Sequence, residues 1–185
     1  MTHRWLLVCL ALVFGAGCKR NDCVELADAP SAKPVDQALV AYLSLASALH
    51  HEADLAESAN TPQIARDALD RLLATKIPGN YTEVREVRAD TLARSAELAM
   101  RAGELGLARQ RIEAGLRELT EDNYYRGRLY EVSGLLYLEE SKKLEAIGDL
   151  AAAEAKKKSA VEDLERTVRI QQGVIERATR DGGAP

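Results

Sequence analysis

The chain has 185 residues, a formal net charge of −4, 29% charged residues and only 4% aromatic residues. That length suits one domain behind a short leader, and the mild acidity offers nucleic acid no basic footprint. With one Phe and one Trp, the core has to be built from Leu, Ala, Val and Ile, a composition that favours helix.

Met1 to Arg4 carries one clear positive charge, and Trp5 to Phe14 is then unbroken apolar sequence. Those ten residues would reach about 15 Å as a helix, about half a bilayer core. A positive start, a short apolar run and the small residues Gly15-Ala16-Gly17 have the layout of an export signal. Together with Cys18 they resemble the lipobox of bacterial prolipoproteins, with Gly15 where that family usually carries Leu. The resemblance implies cleavage before Cys18, lipidation of its thiol and a membrane anchor. Lys19 rather than Asp after the cysteine implies, by the same resemblance, the outer membrane, with the domain facing the periplasm. A cleaved secretory signal without lipid would leave a soluble periplasmic domain. An uncleaved anchor is the third reading, and Lys19 and Arg20 suit it. Cys9 goes with the signal, and Cys23 is left to pair with another chain, or with Cys18 if that thiol is free.

Residues 19–34, KRNDCVELADAPSAKP, mix charges with Pro30, Ser31 and Pro34 and read as a tether. The expected organisation is a signal peptide at 1–17, lipidated cysteine and tether at 18–34, a helical domain at 35–179 and a disordered tail at 180–185.

From Val35 onward the periodicity is helical, with no alternating strand pattern. The first helix is expected from about Val35 to Ser58. Thr61-Pro62 gives an N-cap and a first-turn proline for the second, which stops near Lys76 at Pro78-Gly79. Asn80 with Glu83 has capping-box spacing and opens the third, ending at Gly103. A fourth follows from Glu104 to about Leu119. Thr120 is the expected cap of a fifth that ends at Gly148, and a sixth runs from Asp149 to about Thr179. Short turns make antiparallel neighbours, so the fold expected is all-α: three helical hairpins in a solenoid or a small bundle.

Two hairpins share a pattern. Gly103-Glu104-Leu105 with Ala108 matches Gly148-Asp149-Leu150 with Ala153. Glycine ends one helix, the carboxylate meets the positive end of the next, Leu enters the core, and Ala permits close approach. The segment from Ala96 to Leu116 resembles a tetratricopeptide repeat in this turn and in its small residues Ala96 and Ala99. The two glycines stand 45 residues apart, longer than that family's period of about 34, and the 35–76 hairpin has no turn glycine.

Little in the chain offers chemistry. His50, Asp54 and Glu57 fall on one helix face at ligand-like spacing, but a solvated or half-buried polar face is the preferred account of them. No phosphate loop, nucleophile elbow or Cys-x-x-Cys is present in the sequence, so no enzyme, cofactor or metal is expected. The aromatics gather at Tyr124, Tyr125 and Tyr130, with Arg126 and Arg128 between them and Tyr137 beyond. Tyr and Arg dominate interface hot spots. In tetratricopeptide arrays the first helix of each unit lines the peptide-binding face, so the resemblance makes Arg126, Arg128, Tyr130 and Tyr137 candidate contacts. The blander and preferred account is that these tyrosines fill gaps in an alanine-rich core. The function expected is a lipid-anchored adaptor or assembly factor that binds an envelope protein. The other reading is a structural lipoprotein that self-associates through helix six, whose stripe is Leu150, Ala153, Val161, Leu164, Val168, Ile175 and Ala178.

Overall fold

The computed structural model describes residues 36–181. They form six helices and, among the described residues, no strand: α1 (Gln37–Ser58), α2 (Pro62–Ala74), α3 (Thr82–Arg101), α4 (Leu105–Glu118), α5 (Tyr124–Ala146) and α6 (Leu150–Asp181). Cys18, Cys23, the tether and the last four residues lie outside the described residues. No described helix is long and apolar enough to cross a membrane.

Consecutive helices pair as antiparallel hairpins, α1 with α2, α3 with α4 and α5 with α6. The odd-numbered helices then form a row, α1 on α3 and α3 on α5, while α2 and α4 each also touch the first helix of the next hairpin. The all-helical, three-hairpin expectation is therefore met, and the contacts run along the chain as in a solenoid.

The turns explain the repetition. At the end of α3, the Glu104 amide donates to Ala99 O at 2.9 Å and the Gly103 amide to Met100 O at 2.9 Å, with Gly103 at φ 77°. At the end of α5 the Asp149 amide donates to Leu144 O at 3.0 Å and the Gly148 amide to Glu145 O at 3.0 Å, with Gly148 at φ 82°. Both are Schellman closures, in which a left-handed residue returns two orphan carbonyls to the chain. The first hairpin closes the same way on a residue that is not glycine. Asn60 adopts φ 55°, its amide donates to Glu57 O at 3.0 Å, and the Thr61 amide donates to Ala56 O at 2.8 Å. Asn tolerates the left-handed region better than other side chains.

Asn60, Gly103 and Gly148 thus mark three units, 43 and 45 residues apart. Five residues after each comes a buried alanine: Ala65, Ala108 and Ala153. Twelve after each comes Leu72, Gly115 or Ala160, again buried. The small residues let helices approach closely. A Cβ on Gly115 would lie 2.7 Å from Leu129 Cδ2, and one on Gly134 would lie 2.8 Å from Leu164 Cγ and 3.1 Å from the backbone oxygen of Ala160. Larger apolar residues fill what remains, with Leu69, Leu98, Leu129 and Leu136 almost fully buried. Each such side chain contributes about 1.5–3 kcal/mol of transfer free energy.

Several caps differ from expectation. Asp36, not a Val35 start, caps α1, its Oδ1 accepting from Ala38 N at 2.8 Å. Thr61 precedes Pro62 as expected, but its hydroxyl donates backward to Ala56 O at 2.9 Å. Tyr81 rather than Asn80 stands at the start of α3, and Asn80 Oδ1 accepts from Arg85 instead. Thr120 does not cap α5: Leu119 is extended, the chain runs on to Asn123, and Asn123 Oδ1 accepts from Arg126 N at 2.9 Å. The sixth helix continues through Asp181, past the expected end at Thr179.

Candidate functional site

The odd-numbered helices present a continuous row of charge. Asp90, Arg94, Glu97 and Arg101 recur along α3 at helical spacing, so they share one face. The matching face of α1 carries His50, Asp54 and Glu57, and that of α5 carries Arg128, Glu131, Leu135 and Glu139.

The three residues singled out on α1 are brought together, and what they surround is a guanidinium. Arg94 Nη2 donates to Asp54 Oδ1 at 2.7 Å and to Glu57 Oε1 at 2.9 Å, and Arg94 Nη1 donates to His50 Nδ1 at 3.0 Å. Arg101 Nη2 reaches the other Glu57 oxygen at 2.5 Å. Burial pushes the Glu57 carboxyl up, but the hydrogen bonds from Arg101 and Arg94 outweigh it and hold the group below its ordinary range. Arg94 therefore fills the place a cation would take. Among the described residues no group of three metal-ligating side chains is positioned to hold a metal ion.

The row continues to α5. His50 Nδ1 lies 3.8 Å from Asp90 Oδ2, Arg128 Nε lies 3.6 Å from Asp90 Oδ1, and Arg128 Nη2 donates to Glu97 Oε1 at 3.0 Å. Burial raises the Glu97 carboxyl above its ordinary range against the pull of Arg128 and Arg101, with Glu131 and Glu57 adding to the rise. On this face six carboxylates (Asp54, Glu57, Asp90, Glu97, Glu131 and Glu139) face three guanidiniums, an imidazole and the Lys142 ammonium, which donates to Glu139 Oε1 at 2.6 Å. Beyond Arg128 a groove of about 540 Å³ opens between α3 and α5, lined by Glu97, Met100, Arg101, Leu135 and Glu139. Its floor is apolar, and Leu135 is 40% exposed there.

Of the four candidate contacts on α5, only Arg128 lies in this row. Arg126 turns to the end of α4, where Nη1 donates to the carbonyls of Leu119 and Leu116, a favourable place for a cation. Tyr130 is 8% exposed, its ring flanked by Arg126 at 5.4 Å and Arg166 at 4.3 Å. Tyr137 sits between Arg109 of α4 at 5.3 Å and Lys156 of α6 at 5.0 Å. Those two cations also bind Glu140, Lys156 at 2.8 Å. Arg126, Tyr130 and Tyr137 thus join α5 to α4 and α6. Sequence reasoning missed Arg94, Glu97 and Leu135; their spacing on helices α3 and α5 was the available signal, and the pairing of those helices was not.

Compared with known proteins, the chain matches no family model, no curated protein and no solved structure.

Proposed function

We propose that the chain is a lipid-anchored envelope protein whose helical domain serves as an adaptor, holding a protein partner on the face of α1, α3 and α5. The observation that carries this reading is the groove between α3 and α5: an apolar floor of Met100 and Leu135 edged by Glu97, Arg101 and Glu139. An apolar floor within a rim of paired charges suits a segment that offers an apolar anchor, with polar groups that exchange partners at the rim and fix its register. The mechanism is passive. The groove is preformed, so a bound segment forfeits its own freedom without remodelling the host. Attachment through Cys18 would hold the partner at the membrane surface, and the tetratricopeptide-like turn pattern supports the same reading.

The membrane half of the proposal is tested by labelled palmitate in a bacterial host. Incorporation into the wild-type chain and none into Cys18→Ala is expected. Label in neither would remove the anchor.

A second reading rests on α6. Leu150, Val161, Val168 and Ile175 are each more than half exposed, whereas Ala153, Ala160 and Ile170 face α5. Forty-five residues earlier, Leu105 and Leu116 of α4 occupy the positions of Leu150 and Val161 and are packed against the core that α5 completes. The exposed row of α6 therefore continues an interface that the fold already uses, and a second copy of α6 is its natural cover. Sedimentation of the full chain would show a dimer that Val161→Glu/Val168→Glu returns to monomer. A monomer before and after substitution would sink this reading, and a different protein bound there would replace the second copy.

A further inference from the structure

The half of α6 that lies against the start of α5 carries a second concentration of charge, away from the α1–α3–α5 face. Arg166, Arg169, Ile170, Gly173 and Arg177 recur at helical spacing and, with Asp122 of the α4–α5 loop, bound a pocket of about 280 Å³. Three guanidiniums line it against one carboxylate. That carboxylate is already engaged, since Asp122 Oδ1 lies 3.4 Å from Nε of Arg126. Arg169 has one loose partner, Glu165 at 3.7 Å, with both side chains well exposed. Positive charge here exceeds its compensation in a chain whose formal net charge is −4.

Two of the three guanidiniums are also held in place. Arg166 stacks on the Tyr130 ring, 4.3 Å from its centroid, a contact that uses its face and leaves its N–H edge free. Arg177 is fixed through Nη2, which donates to Asp122 O at 2.8 Å. Gly173 lies between them in the pocket lining. Ile170, almost fully buried, forms the floor. An arginine fixed by stacking or by one hydrogen bond loses little further freedom when it binds an oxyanion with its remaining donors.

We propose that the Arg166–Arg169–Arg177 pocket binds a phosphate group. A tetrahedral anion with up to two charges can engage more than one of the donor forks that line this pocket, whereas one fork satisfies a planar carboxylate. A free phosphate and a phospholipid headgroup share this chemistry, and the test separates them.

The full chain, in neutral maltoside micelles, is titrated with inorganic phosphate and separately with glycerophosphoglycerol, a soluble headgroup diester. Amide signals of Ile170 and Gly173 are followed by NMR, with sodium chloride at matched ionic strength as the control. Saturable shifts at these residues are expected with at least one probe and not with chloride. Arg166→Gln/Arg169→Gln should weaken the apparent affinity about tenfold or more, as loss of charge-assisted bonds requires. Both side chains face solvent, so the helical circular dichroism of this variant should match wild type. Saturation by inorganic phosphate alone assigns a free phosphate. Saturation by the diester assigns a headgroup. No saturable shift with either probe, or equal affinity in the double variant, overturns the proposal.

Discussion

Arg94 donates from Nη1 to Nδ1 of His50 at 3.0 Å. Arginine can only donate, so Nδ1 must be the accepting nitrogen and the imidazole proton must sit on Nε2. From there it donates to Thr91 Oγ1 at 3.0 Å, and the Thr91 hydroxyl in turn donates to Val87 O at 2.7 Å. One neutral tautomer thus joins α1 to α3.

Protonating His50 would place a proton where Arg94 already donates. Burial lowers the His50 pKa from its ordinary value of 6.5, Asp90 pulls it back up, Arg94 pushes it down and Asp54 raises it. The folded value is depressed, so the unfolded chain takes the proton first. Stability is fully present above about pH 6.5 and declines as pH falls below it. Denaturant midpoints measured across this range should fall with acid in the wild type. They should fall less in His50→Gln, whose amide can donate and accept without titrating. Equal slopes in the two proteins would show that His50 does not carry the effect.

Asn60 holds a left-handed conformation between α1 and α2. Asn60→Ala should destabilise the fold by about 1 kcal/mol, since a Cβ without the Asn side chain is disfavoured there. Asn60→Gly should be neutral or stabilising. Urea denaturation of both variants checks the pair, and an innocuous Asn60→Ala would contradict the turn.

That turn marks where the sequence stops being legible. Gly103 and Gly148 announce their hairpins because glycine followed by a carboxylate, Leu and Ala has one simple reading. Asn60 precedes Thr61-Pro62, and Asn, Thr and Pro all suit a helix start, so its role in closing α1 is hidden. His50, Asp54 and Glu57 were recognisable as one face from spacing alone. Their partner was not, because Arg94 lies 40 residues from Asp54 and only the packing of α3 on α1 joins them. Tyr130 and Tyr137 show the same limit: a tyrosine beside arginines reads alike whether it meets a partner or the next helix of its own chain.

Gly134→Ala should destabilise α5 against α6. The added Cβ would meet Leu164 Cγ at 2.8 Å and the backbone oxygen of Ala160 at 3.1 Å, and the latter cannot rotate away. Overpacking of this kind costs about 1–3 kcal/mol, more than the roughly 1 kcal/mol that alanine gains over glycine within a helix. A thermal midpoint at or above wild type would mean that the two helices have room to separate.

The central claim is that a protein partner occupies the groove between α3 and α5. It is tested most directly by placing a photo-crosslinking residue at position 135 in cells of the native host, with position 64 as the control. Leu135 lines the groove and Ile64 is exposed on α2, off the charged face. The account predicts one discrete adduct with another protein from position 135, weakened by Glu97→Lys and Glu139→Lys, and none from position 64. No adduct at position 135, or the same adducts from both positions, would contradict it.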